Sequence, residues 1–400
     1  MTRRILLLVV LGAAAAALLA WSAVFHFYFD SGVYAGAVRH WFRDGGLVYD
    51  YLLPGTPYGF TYPPFAGLLM APMAVLPLGA VQALASIATV LVTVLVMWWF
   101  AEPVIRRNGW RPGYALAVLS LLALIFEPVR ETFGFGQVNM LLLALVAFDV
   151  LFGVARDRKW AGVGIGLAVA IKLTPGVFLL YLLVTRRWRA LCVSISTASA
   201  ATLLPAAIWP DASREFWTAA LWDTNRVGDL AYVSNQSLRG MLARFPADQV
   251  ESLLWIGCVL LTLGLWAWRV RRADPLSALA LTGILSLLLS PVTWVHHCVW
   301  LLPALVRCLE LWPSRRGWAW TGAGIFALLS SRATFLYEFG PRPPLAMIGS
   351  NLYVWSGLAL LAWLPLSAGP PRHAAGDAPE QSHEQGTAKI TKPGVSPAAT

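Results

Sequence analysis

Asp30 follows an unbroken apolar run, in Phe29-Asp30-Ser31-Gly32-Val33-Tyr34. A carboxylate there has two uses. It, or Ser31, can cap the helix that follows, or a carboxylate facing a cavity can act as general base on a hydroxyl. Lys172 lies in the middle of an apolar stretch, in Ile171-Lys172-Leu173-Thr174-Pro175. A lysine inside a membrane helix costs about 2.5–3.5 kcal/mol on insertion scales. It either snorkels to the interface or spends its point charge on a ligand such as a phosphate. His296 and His297 end the run Ser290-Pro291-Val292-Thr293-Trp294-Val295. Neighbours on a helix point about 100° apart, so a shared metal needs further ligands, whereas one imidazole facing a cavity suits a phosphate oxygen. Asn235, Gln236 and Arg239, in Ser234-Asn235-Gln236-Ser237-Leu238-Arg239-Gly240, combine amides, hydroxyls and a guanidinium. That mixture suits sugar and phosphate, and also an ordinary solvated loop. Gln137 and Asn139 either cap an apolar helix or bind a hydroxyl-rich ligand, and Thr61-Tyr62-Pro63-Pro64-Phe65 reads as a rigid bend.

Several chemistries lack their residues. There is no His-x-x-x-His, no P-loop, no glycine-rich dinucleotide turn and no Asp-x-Asp pair to hold a nucleotide sugar through a metal. Neither a metal nor another cofactor is expected. Cys192, Cys258, Cys298 and Cys308 have no metal spacing and read as apolar filler.

The elements that must position these residues are apolar helices. The 400 residues are 58% apolar and 12% charged, about half the charge of a soluble domain. Apolar runs long enough to cross roughly 30 Å of hydrocarbon recur, and many of the 20 tryptophans stand at run ends, as in an aromatic belt. The net charge of +10 does not signal nucleic acid, because the basic residues sit in short clusters between apolar runs. Those clusters fall at residues 3–4, 106–111, 156–159, 186–189, 269–272 and 315–316. Placing all of them in the cytoplasm gives about eleven spans. The arginines at the start followed by Ile5–Phe29 read as an uncleaved signal anchor. Residues 160–185 are too short for two full spans and contain Pro175, so two half-helices meeting at Lys172 are expected. Broken backbone at membrane depth is tolerated where it lines a cavity. The external face then receives residues 29–64, 127–137, 210–249, 291–297 and 337–350. Residues 31–57 carry an amphipathic helix expected to lie in the interface, and 210–249 form a long external loop. Residues 369–400, rich in Pro, Gly, Ser and charge, read as a disordered cytoplasmic tail following a membrane domain over 1–368.

Asp30, Thr61-Tyr62-Pro63-Pro64-Phe65, Gly136-Gln137-Val138-Asn139, Ile171-Lys172-Leu173-Thr174-Pro175, Asn235-Gln236-Ser237-Leu238 and Ser290–His297 occur in this order over roughly residues 1–367. In that order they resemble the polyprenol-phosphate-mannose-dependent α-1,2-mannosyltransferases, glycosyltransferase family 87. The resemblance implies an all-α polytopic membrane protein of GT-C architecture in the cell membrane, with its site on the extracytoplasmic face. It implies a polyprenyl-phosphate sugar donor and a mannosylated glycolipid or lipoglycan acceptor. Asp30 becomes the base, His296 or His297 a neighbour of donor phosphate or acceptor, and Lys172, Asn235, Gln236 and Arg239 donor ligands. An arabinofuranosyltransferase using polyprenyl-phosphoarabinose is the near alternative. From other classes, a lipid or sugar transporter would also use a broken helix, though no internal repeat is present, and a scaffold protein would leave these charges without purpose.

Overall fold

The structure, a computed structural model, describes residues 2–223, 226, 228–245, 251–312, 315–339 and 344–367. The expected tail at 369–400 lies outside the described residues. The chain is helical: α1 (Thr2–His26), α2 (Phe29–Phe42), α3 (Pro64–Leu69), α4 (Leu78–Arg107), α5 (Pro112–Ile125) and α6 (Glu127–Phe135) build the first third. The middle holds α7 (Asn139–Phe148), α8 (Val163–Ile171), α9 (Val177–Val184), α10 (Trp188–Ile208), α11 (Pro210–Glu215) and α12 (Leu238–Ala243). The last third holds α13 (Glu251–Val270), α14 (Pro275–Leu289), α15 (Leu302–Glu310), α16 (Arg316–Ser330), α17 (Pro344–Gly349) and α18 (Leu352–Trp363). Among the described residues the only β pairing is one isolated bridge, Leu52 with Gly59.

Among those residues, α1, α4, α10 and α13 are long and apolar enough to cross a bilayer. With α5 and α6, bent by 68°, they make up to five such spans. The segment 139–154 and the helices α9, α14 and α18 are apolar but shorter. The chain is thus an all-helical polytopic membrane protein, while length and composition in the structure support fewer full crossings than the eleven expected from charge placement.

The breaks between helices matter most for the site. α1 stops at His26 because Phe27 and Tyr28 both adopt left-handed backbone, with φ of 52° and 51°. Such conformations strain residues with a Cβ. The Tyr28 N–H donates to the Gly134 carbonyl (3.0 Å), which ties the break to α6. Between α8 and α9, Pro175 has no N–H to offer the Ile171 carbonyl. The chain runs extended through Lys172, with φ −148° and ψ 131°, as the two-half-helix expectation required. The other end of α8 is fixed by Asp149, whose buried carboxylate accepts from the Gly162 and Ile165 N–H groups (2.8 and 2.9 Å). Pro291 prevents α14 from continuing, and the Thr293 hydroxyl donates to the Leu287 carbonyl instead (2.8 Å).

Two expectations need correction. The helix expected over 31–57 runs only from Phe29 to Phe42, and turns follow it. Its apolar face is not left to lipid: Val33, Tyr34, Val38 and Trp41 are buried with Phe60, Tyr62, Ala66, Ala212 and Phe216. The polar segment 127–137, expected as a cap between two spans, is largely the helix α6, with Glu127, Arg130, Glu131 and Thr132 all buried.

Candidate active site

No side chain caps α2, so the capping use of Asp30 and Ser31 has no hydrogen bond behind it. Ser31 instead donates to the Gly136 carbonyl (3.2 Å). Gly136 has φ +69°, and a Cβ there would fall on the Ser31 hydroxyl. This contact and the Tyr28–Gly134 bond press the start of α2 onto the loop carrying Gln137. Asp30 therefore faces Gln137 and Lys172. Burial raises its carboxyl to about 6, opposed by the Gln137 hydrogen bond and the Lys172 charge.

Lys172 does not snorkel. Its Nζ lies 3.0 Å from His297 Nε2, 3.2 Å from the Tyr62 hydroxyl and 3.4 Å from Asn139 Oδ1, and it stands over the Tyr62 ring at 5.0 Å. Tyr62 donates to Gln137 Oε1 and accepts from the Tyr34 hydroxyl, each at 2.9 Å. Asn139, which caps nothing, donates to the His296 carbonyl (3.0 Å), as does Thr132. Asp30 of α2 and Asn139 of α7 are thus brought together with Tyr62, Gln137, Lys172 and His297, which come from the breaks and turns between the long helices.

His297 and Lys172 make an unresolved pair on their own. His297 Nδ1 accepts from the Trp294 N–H (3.3 Å), which leaves Nε2 to carry the proton of a neutral imidazole. An ammonium on Lys172 also has only donors to offer, 3.0 Å away. A phosphate oxygen between them would accept from both. His296 faces a different way. Its ring packs against Phe135 and His297, and both ring nitrogens are buried without a hydrogen-bond partner among the described residues.

The remaining expected residues are not in this cluster. Asn235 spends its amide on the Pro291 and Leu230 carbonyls and the Thr293 N–H. Gln236 spends its amide on the Val233 and Ser350 carbonyls and the Tyr353 N–H. Asn235 thereby frames the turn leading to His297, to which Gln236 contributes its backbone N–H on the Thr293 carbonyl, and neither amide is left free for a ligand. Arg239, on α12, stacks its guanidinium over Trp255 at 5.2 Å.

Sequence reasoning did not single out Tyr34 or Tyr62 as site residues, nor the charge cluster behind His296. There Arg332 Nη1 lies 3.1 Å from Glu127 Oε1 and 3.0 Å from Glu131 Oε1. Tyr353 donates to Glu127 Oε2 (2.7 Å), and Arg130 donates to the Ser330 carbonyl (3.0 Å). Among the described residues no group of three or more His, Cys, Asp or Glu side chains is arranged to hold a metal ion.

The sequence pattern of glycosyltransferase family 87 matches residues 60–291. A polyprenol-phosphate-mannose-dependent α-(1-2)-phosphatidylinositol mannoside mannosyltransferase of Mycolicibacterium smegmatis is 34% identical over 389 residues, covering 88% of this chain and 86% of the relative. A polyprenol-phosphate-mannose-dependent α-(1-2)-phosphatidylinositol pentamannoside mannosyltransferase of the same organism is 33% identical, covering 85% of each chain. An α-(1->3)-arabinofuranosyltransferase of Corynebacterium glutamicum is 26% identical, covering 71% of this chain and 69% of the relative. No solved structure matches.

Proposed function

Because the chain belongs to glycosyltransferase family 87, we propose that it is an inverting membrane glycosyltransferase that moves mannose from a polyprenyl phosphate to a phosphatidylinositol mannoside or related glycolipid, in α-1,2 linkage. The observation that carries this is the convergence of one carboxylate, Asp30, with one cation, Lys172, and one imidazole, His297. A lipid-phosphate sugar leaves as a phosphomonoester, which calls for cationic and N–H donors at the phosphate. Lys172 and His297 Nε2 supply them. Asp30 takes the proton of the acceptor hydroxyl as its oxygen bonds to the anomeric carbon and the bond from that carbon to the phosphate oxygen breaks. One displacement on a β-linked donor gives the α product. The Asn235 amide and the Gln236 backbone N–H hold the 291–293 turn behind His297, and Arg239 is assigned to the donor's approach.

Mannose is favoured over arabinofuranose because the mannosyltransferase relatives share 33–34% identity and the arabinofuranosyltransferase 26%. The site is assigned to the extracytoplasmic face, with about eleven crossings when the short and broken helices are counted. One cavity is lined by Arg186, Arg187 and Arg271 together, which supports placing the 186–189 and 269–272 clusters on one side of the membrane. The test supplies membranes containing the protein with radiolabelled polyprenyl-phosphomannose and phosphatidylinositol mannoside. Label in a larger glycolipid is the expected result. Transfer only from polyprenyl-phosphoarabinose would move the assignment to the arabinofuranosyl reaction, and no transfer from either donor would reject the enzyme.

A further inference from the structure

The proposed base needs more than a position, because a carboxylate can turn. Asp30 sits one residue beyond α2's first residue, behind the strained Phe27–Tyr28 break, and is held against the 134–137 loop by backbone and Ser31 contacts. The titratable groups that face it are Tyr34 of its own helix, Tyr62 ahead of α3 and Lys172 between α8 and α9. Gln137, from the α6–α7 loop, completes the surround.

The directions of the hydrogen bonds around Tyr62 are constrained. A phenol has one proton to give. Tyr62 receives the Tyr34 hydroxyl proton (2.9 Å) and a Lys172 N–H (3.2 Å), and an ammonium can only donate. The Tyr62 proton is left for Gln137 Oε1, 2.9 Å away. With its oxygen taken, the Gln137 amide has only its NH2 left to offer the neighbouring Asp30 carboxyl. We infer that Tyr34, Tyr62 and Gln137 form a one-way hydrogen-bond relay that aims the Gln137 amide N–H at the Asp30 carboxylate, making Tyr62 and Gln137 positioning residues for the base. The relay holds one carboxylate oxygen and leaves the other for the acceptor hydroxyl. Phenylalanine at 62 would keep the ring and remove the constraint, so that the amide turns freely. The inference rests on the reading of Asp30 as the base, but its test does not depend on turnover.

That test is infrared titration of the full-length protein in detergent. The protonated carboxyl band of Asp30 is isolated as wild type minus Asp30→Asn at each pH. A hydrogen bond to the charged carboxylate favours it, so Gln137→Leu moves the Asp30 midpoint up by about one pH unit, tenfold in proton affinity. Tyr62→Phe moves it the same way, Tyr34→Phe does so less, and Tyr62→Phe/Gln137→Leu goes no further than Gln137→Leu alone. The relay is overturned if Gln137→Leu leaves the midpoint in place or if the double variant shows the sum of the singles. It is also overturned if Tyr62→Phe lowers the midpoint, which would mean that Tyr62 acts by occupying Lys172. Should Gln137→Leu not fold, Tyr62→Phe and Tyr34→Phe, each lacking a single oxygen, decide by the same signs. A wild type with this titration pattern and no glycosyl transfer would sink the base assignment and leave the relay standing.

Discussion

Replacing Lys172 by methionine separates a ligand-binding charge from a structural one. The methionine keeps the apolar stem and removes the Nζ that sits 3.0–3.4 Å from His297, Tyr62 and Asn139. Unit charges 4 Å apart at an effective dielectric constant of 20 attract by about 4 kcal/mol. His297 Nε2 stays as a donor, so the net loss at the departing phosphate is about 2–3 kcal/mol, roughly 30- to 150-fold in kcat/KM. Stability should behave differently. The variant leaves Asn139 Oδ1 one donor short, which costs about 1 kcal/mol. It also removes an ammonium from an apolar setting, which offsets a similar amount. Thermal unfolding in detergent should therefore shift little while the transfer rate per folded molecule collapses. Lys172→Arg keeps the charge but not the compact point donor, and falls between. A Lys172→Met protein that unfolds easily yet transfers normally per folded molecule would show that Lys172 is structural and refute the phosphate assignment.

Four further outcomes follow from the same site. Arg332 faces Glu127 and Glu131, both buried, so Arg332→Gln should cost about 3 kcal/mol of stability, toward the low end for a broken buried ion pair because Arg332 is part-exposed. Denaturant unfolding measures it, and a cost under about 1 kcal/mol would mean the cluster is already screened. As the proposed base, Asp30 would work as the carboxylate, and its carboxyl is raised to about 6, so kcat/KM should fall as pH drops through about 6 and level off above. The raised value also means that ionising Asp30 opposes folding. Its stabilising share is present in acid and lost as pH rises through about 6, so Asp30→Asn should be no less stable than wild type at neutral pH. A pH-independent rate between 5 and 8 would remove Asp30 from the chemistry. Chelation should leave transfer unchanged, and activity lost to a chelator and restored by Mn²⁺ or Mg²⁺ would overturn the metal-free leaving-group assignment.

Residues that break a local rule were legible in the sequence. Lys172 in an apolar run beside Pro175, and Asp30 directly after a span, are costly where they stand and so point to a site. Their convergence was not legible, because Asp30 and Lys172 lie 142 residues apart in the chain. Tyr62 stood inside a motif that read as a proline bend, and no local signal ties a phenol to Gln137, 75 positions on. Arg332 was hidden for the same reason, its carboxylate partner Glu131 lying 201 positions away. The amphipathic pattern after Asp30 gave the buried face of α2 correctly, but periodicity does not say whether lipid or protein covers that face. Here protein does, through Phe60, Tyr62 and Phe216. Asn235 and Gln236 looked like sugar ligands by residue type, yet an amide serves equally well to satisfy a turn's backbone, and both are buried doing so.

The central claim is that Asp30 removes the acceptor proton. It is tested most directly by transfer of radiolabelled mannose from polyprenyl-phosphomannose to phosphatidylinositol mannoside in membranes carrying wild type or Asp30→Asn at matched folded amounts. Transfer by the wild type and loss of at least about a hundredfold in the variant, within the usual range for a missing general base, is the predicted result. Undiminished transfer by Asp30→Asn would contradict it and return Asp30 to a packing role at the start of α2.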